Sequence, residues 1–141
     1  MTKLTDTERH LAIQAAIEAD PFAKHLGAKF ESLDEGYSRF SLVIRPEHIN
    51  FHGSVHGGIL FSLGDIAFAA ASNSRGQTAV ALNVDIGFMR PAQVGDLLIA
   101  EAREISLNGP IGLYELTVRC NDELIAQSQA TVYRKKEYFV E

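Results

Sequence analysis

The sequence predicts an α+β domain in which a curved antiparallel β-sheet wraps around one long central helix. Three observations lead to it. From His56 to about Ser74 the chain is helix-compatible and apolar almost all round, with Ile59, Leu60, Phe61, Leu63, Ile66 and Phe68 in one block. A helix apolar on every face is a buried helix. Two runs of strand character precede it and four follow it, several of them joined by short turns. One central helix inside a curved sheet satisfies both that order and the helix's apolarity.

The elements follow in order. Thr5 and Glu8 have capping-box spacing, and Leu11, Ala15 and Glu18 continue at helical intervals. Asp20-Pro21 ends this helix, because proline disfavours helical geometry in the residue before it. A short helical turn from Pro21 to Leu26 stops at Gly27. Residues 1–26 are thus an N-terminal helical segment of one domain spanning 1–141. Ala28 to Leu33 and Tyr37 to Ile44 are strands, turned at Asp34-Glu35-Gly36. Arg45 to Val55 is irregular. The central helix comes next, at about 27 Å for roughly 18 residues. Four strands close the chain. Thr78 to Met89 alternates Val80, Leu82, Val84, Ile86 and Phe88, and stops at Arg90-Pro91. Leu97 to Leu107 enters through Gly95-Asp96. Ile111 to Cys120 and Glu123 to Tyr133 meet at a tight Asn121-Asp122 turn.

Composition narrows the function. Hydrophobic residues make up 46% and charged residues 22%, so disorder is not the default. The net charge of −5 makes a polyphosphate partner unfavourable, which argues against nucleic acid. The lone Cys120 has no internal disulfide partner and falls in an alternating apolar pattern, which reads as a core thiol. The first residues carry charge and no apolar stretch, unlike a signal peptide. The most apolar window, Ile59 to Ala71, is too short to span a bilayer and contains Asp65. The expected setting is cytoplasmic, without membrane attachment.

Two features of the central segment bear on chemistry. His56-Gly57-Gly58 begins the buried helix. The first N–H groups of a helix lack intrahelical partners and stand at the positive end of its dipole. Glycine lets a ligand approach them, so they suit a developing oxyanion. The plain alternative is a glycine-rich helix entry. The second feature is Asp65, a carboxylate in an otherwise apolar helix. Such a group is costly unless it is paired or opens on a cleft; the plain alternative is an aspartate at a surface or interface. Eight residues separate Gly57 from Asp65, about 12 Å along one helix. Two groups acting on one reacting centre must both lie within about 3 Å of it. If they act together, they come from different subunits, and the protein is at least a dimer.

The run Asn50-x-x-Gly53-x-x-His56-Gly57-Gly58-x-x-Phe61-x-Leu63-x-Asp65, followed by Ala67-Phe68-Ala69 and later by Phe88-x-Arg90-Pro91, resembles the hotdog thioesterases of the phenylacetate-degradation (PaaI) type. The resemblance covers about residues 21–134. It implies a hotdog fold, a homodimer or a dimer of dimers (a homotetramer), acyl- or aryl-coenzyme A thioester substrates, and no metal or cofactor beyond coenzyme A as part of the substrate. It also implies roles by position. Gly57 polarises the thioester carbonyl through its N–H, with Gly58 beside it at the substrate. Asp65 is nucleophile or general base. Asn50 orients the water or the carboxylate, and His56 positions the thioester or the Gly57 loop. Relatives often place a polar residue before Phe88 and a Ser or Thr near the catalytic carboxylate; this chain has Gly87, and offers Asn83 and Asp85.

A thiolate leaves with little help from an acid, its thiol having a pKa of about 8.5. One carboxylate and one oxyanion cradle are therefore enough for a thioester. Two other functions compete: a hotdog hydratase or dehydratase using His56 on a β-hydroxyacyl thioester, and a non-catalytic acyl-coenzyme A sensor.

The remaining residues have plainer readings beside the functional ones. Phe51 and Phe61 are candidates for an acyl pocket, with Phe61 read as core. Arg90 is either a coenzyme A phosphate contact or half of an ordinary ion pair. Arg134-Lys135-Lys136 is read as a solvated tail, with a phosphate contact as the alternative. His48 and His52 lie in an irregular loop without a third ligand, so they are not read as a metal site. His10 and His25 are read as surface residues.

Overall fold

The computed structural model describes residues 3–141. Its order is α1 (Asp6–Glu18), α2 (Pro21–Leu26), β1 (Lys29–Asp34), β2 (Tyr37–Val43), a 3-10 turn at Pro46–His48, α3 (Gly57–Ser72), β3 (Gln77–Phe88), β4 (Leu97–Asn108), β5 (Ile111–Cys120) and β6 (Glu123–Tyr138). The strands form one 6-stranded sheet in the order β1-β2-β4-β5-β6-β3, every pair antiparallel. This is the predicted architecture, a hotdog. No helix among the described residues is long and apolar enough to cross a membrane.

The topology explains why the helix is central. The chain leaves β2 and returns as β3, four strand spacings away, or about 19 Å. Sixteen residues of α3 cover about 24 Å, enough to cross the sheet's face. α3 accordingly touches every strand of the sheet. Leu63, Ala67 and Ala71 of α3 are fully buried. Opposite them on β4, Ala100 and Ala102 are also fully buried, and their small side chains let helix and sheet approach closely. Phe68 meets the Tyr114 ring edge-on, centroids 5.5 Å apart. Burial in this core is the main stabilising term.

Local signals behave as their physics requires. Thr5 and Glu8 form the capping box, each side chain bonded to the other's backbone N–H. Gly27 ends α2 at φ 90°. Asn121 and Asp122 both take positive φ, 49° and 67°, as a two-residue hairpin turn demands.

Four sequence expectations need correction. α3 is not covered all round. Phe61, read as core, is 38% exposed; Ala69 is exposed and Asp65 half-buried. A sheet on one side shields part of a helix, and in a single subunit one stripe stays open. Val80, Leu82 and Phe88 of β3 are exposed too, because β3 is an edge strand bonded only to β6 and shifts register between Ala81 and Asn83. On α1 the packed residues are Ile13 and Ile17, whereas Leu11 is exposed. Arg134, Lys135 and Lys136 belong to β6, which runs to Tyr138 rather than Tyr133, since β3 is long enough to pair with it as far as Gln77↔Tyr138.

One polar network ties the C-terminal end of α3 to the sheet. Arg75 holds Glu104 in a two-pronged pair, Nη1 to Oε1 at 2.7 Å and Nη2 to Oε2 at 3.1 Å. The buried Tyr114 hydroxyl donates to the same carboxylate at 2.9 Å. The Arg75 bonds hold the Glu104 carboxyl below its ordinary pKa, against the opposing effect of burial. A depressed folded value means stability present above the unfolded pKa and lost as pH falls through the folded one. Glu104→Gln should cost about 1–3 kcal/mol at neutral pH, with the difference from wild type shrinking on the acid side. Urea midpoints measured from neutral to acid pH check this; a pH-independent difference would dismiss the ion pair as its cause.

Candidate active site

The loop before α3 is built around Asn50. Its Oδ1 accepts from the His52 N–H at 2.9 Å and the Ser54 N–H at 3.4 Å. Its backbone N–H donates to Ser54 O at 2.8 Å, and its O accepts from Gly53 at 3.0 Å. Gly53 sits at φ 89°, which favours glycine. The loop's base is pinned where Ile49 bridges Val55 and where Val55 donates to Ala92 O at 2.8 Å. Phe51 projects from it, 93% exposed, with its ring against His52. His48 turns inward instead. Its Nδ1 accepts from the Arg45 N–H at 2.9 Å, and its Nε2 lies 3.0 Å from Leu26 O.

His56 caps α3. Its Nδ1 accepts from the Gly58 N–H at 2.9 Å, which commits that amide to the cap. No acceptor appears for the Gly57 N–H among the described residues. Gly57 instead lines a cleft of ≈ 330 Å³ with Val55, Leu60, Phe88, Met89 and Arg90. A Cβ on Gly57 would lie 3.3 Å from the Phe88 ring, so glycine keeps both amide and cleft accessible. Arg90 is 3.8 Å from Glu123, with both side chains largely exposed. It therefore makes the ordinary ion pair and also borders the Gly57 cleft.

Asp65 lies elsewhere in the subunit. It is not a wall of the Gly57 cleft, and the helix sets it about 12 Å from Gly57. Burial raises its pKa above the ordinary aspartate value, and the charge of Asp20 raises it further. Its proton affinity is thus moved toward that of a useful base. Asn83 is exposed on β3 opposite Thr131, with Asp85 opposite Gln129.

Among the predicted site residues, one subunit brings together Gly57 and Arg90 on the cleft, with His56 and Gly58 beside them and Asn50 and Phe51 in the preceding loop. It keeps Asp65 and Asn83 apart from that group. Sequence reasoning missed the cleft walls Leu60 and Met89, which carry no polar signal. It also missed Asp20, noticed only as a helix stop; no local pattern ties it to a residue 45 positions away. Chemically, the subunit offers an amide without a protein acceptor at a residue that lines a cleft and, separately, a carboxylate that takes up a proton more readily than usual.

The profile described as Thioesterase superfamily matches residues 52–126, more than half of the chain. The acyl-coenzyme A thioesterase PaaI of Escherichia coli is 41% identical over 118 residues, 84% of this chain and 80% of that protein. The structure of E. coli PaaI, from the phenylacetic acid degradation operon, superposes with a TM-score of 0.89 at 33% identity, covering 95% of this chain and 99% of that one. A mutant of the phenylacetic acid degradation protein PaaI from Thermus thermophilus superposes with a TM-score of 0.80 at 38% identity, covering 82% and 100%. With the fold and the Gly57 entry to α3 already in view, these matches show that the chain belongs to the thioesterase superfamily, as a thioester hydrolase of the PaaI-type hotdog group.

Proposed function

We propose that this chain hydrolyses acyl- or aryl-coenzyme A thioesters to the free acid and coenzyme A, at a site shared by two subunits. One observation carries the reading. Gly57 lines a cleft and its amide has no acceptor among the described residues, Asp65 is half-buried with its pKa raised, and one helix holds them too far apart to act on the same carbonyl. Two α3 helices lying antiparallel across a twofold axis bring Gly57 of one chain to Asp65 of the other. The uncovered stripe of α3 and the edge strand β3, with Val80 and Leu82 exposed, are surfaces a second copy would cover.

In this reading the thioester carbonyl oxygen accepts from the Gly57 N–H. Asp65 either takes a proton from an attacking water or adds to the carbonyl carbon itself, forming an anhydride that water then opens. The C–S bond breaks, and coenzyme A departs as thiolate. Asn50 shapes the loop that sets the entry to α3, and His56 holds that entry in place through Gly58. Arg90 borders the cleft as a cation for a coenzyme A phosphate, at the expense of its pair with Glu123. Phe51 and Asn83 contact substrate only once the second subunit is in place. The reaction uses no metal and no cofactor besides the coenzyme A of the substrate. The working assembly is a dimer or dimer of dimers, in the cytoplasm. E. coli PaaI belongs to a phenylacetic acid degradation operon, which supports arylacetyl groups as first substrates to try.

A thiol-release assay over acetyl-, hexanoyl- and phenylacetyl-coenzyme A, beside a sedimentation measurement, tests the proposal. Expected are multiple turnovers and a mass of at least two subunits. Enoyl absorbance without thiol release would favour a dehydratase, and tight binding without turnover a sensor. An active monomer would refute the shared site.

A further inference from the structure

A second cavity, ≈ 230 Å³, opens between α1, α3 and the chain's end. Its apolar walls include Ile17, Phe40, Ile66, Ala69 and Phe139, and Asp20 is the only ionisable wall residue among those described. Asp65 is not a wall, but Ala69 follows it on the same open stripe, about 6 Å along the helix. The helical register therefore sets the Asp65 carboxylate one turn from the cavity wall at Ala69. The C-terminal wall is tied down. Phe139 donates to Gly76 O at 2.9 Å, and Arg9 donates to Arg75 O at 2.6 Å and to Val140 O at 3.4 Å. Ile17, Asp20, Phe40 and Phe139 all lie outside the residues 52–126 shared with the superfamily profile.

We propose that this cavity is the seat of the acyl group, taking a compact, uncharged, apolar acyl or arylacetyl chain, and that Asp20 turns away acyl groups ending in a carboxylate. The inference rests on the thioesterase reading of Asp65 and deepens it. Size supports the occupant: a dry apolar cavity of about 150 Å³ accepts a benzene ring, so this one has room for a ring and its methylene. Charge supports the exclusion, because a second carboxylate brought beside Asp20 in a partly desolvated cavity is repelled, and selectivity is readily built from such repulsion.

The test compares kcat/KM for acetyl-, butyryl-, succinyl- and phenylacetyl-coenzyme A by thiol release. Ala69→Leu fills the seat and should lower the phenylacetyl-to-acetyl ratio about tenfold or more, whereas Phe139→Ala opens it and should move preference toward bulkier groups. Asp20→Asn keeps an oxygen acceptor for the Phe22 N–H that Asp20 now caps at 3.1 Å. It should raise the succinyl-to-butyryl ratio roughly tenfold. If these ratios stay at wild-type values while thioesters are still cleaved, or if Ala69→Leu slows every substrate equally, the seat is elsewhere and the Asp65 reading stands. If the wild type cleaves no thioester, the reading and the seat fall together.

Discussion

Asp65→Asn is expected to lower kcat for coenzyme A thioesters by about 10²–10⁴-fold, the range a positioned proton acceptor supplies. The fold should survive, because asparagine has nearly the same shape. The sign of the stability change follows from the proton affinity. Burial, then Asp20, raises the folded pKa of Asp65. Such a group contributes stability fully present below its unfolded pKa and lost as pH rises through its folded one. At neutral pH its ionised form is therefore a liability, and the variant should be somewhat more stable there than wild type. Activity lost with stability gained is the pattern of a functional rather than structural carboxylate. The same shift predicts that wild-type kcat climbs with pH through a value above the ordinary aspartate range. Asp20→Asn should move that limb to lower pH, since it removes one of the two causes. Single-turnover hydrolysis in labelled water bears on the chemical role: label found in Asp65 marks an anhydride opened by water at the aspartyl carbonyl. Near-normal turnover by Asp65→Asn would end the assignment outright.

Mixing two dead variants should restore activity. Gly57→Pro removes the amide hydrogen, and Asp65→Asn removes the carboxylate, so each homodimer lacks one component at both sites. In a hybrid, the chain carrying Asp65→Asn still offers Gly57, and the chain carrying Gly57→Pro still offers Asp65. One of the hybrid's two sites is complete. With random exchange about half of the dimers are hybrids, so about a quarter of wild-type activity should return. Proline at the first helical turn is tolerated, and Gly57 begins α3, so the variant should fold; circular dichroism checks that. No recovery despite demonstrated subunit exchange would mean that each subunit completes its own site, and the cooperation of Gly57 with Asp65 would be abandoned.

What the sequence by itself determined is the set of features governed by neighbouring residues. The apolar block after His56 requires a helix buried along much of its surface, the strand character of the four later runs follows from their local pattern, and Thr5, Gly27 and Asn121-Asp122 punctuate them as local backbone energetics dictate. Gly57 and Asp65 were legible for the same reason: an amide at a helix start and a carboxylate among apolar residues are anomalies visible within a few positions. The order β1-β2-β4-β5-β6-β3, which sends α3 across the sheet and leaves β3 as an edge, was decided only in three dimensions. So were the open stripe that exposes Phe61, the two-pronged clasp of Arg75 on Glu104, and the effect of the Asp20 charge on Asp65. These depend on which distant segments the packed core brings together, and burial is non-directional: it rewards contact between apolar surfaces without encoding, in any short stretch of chain, which surfaces will meet.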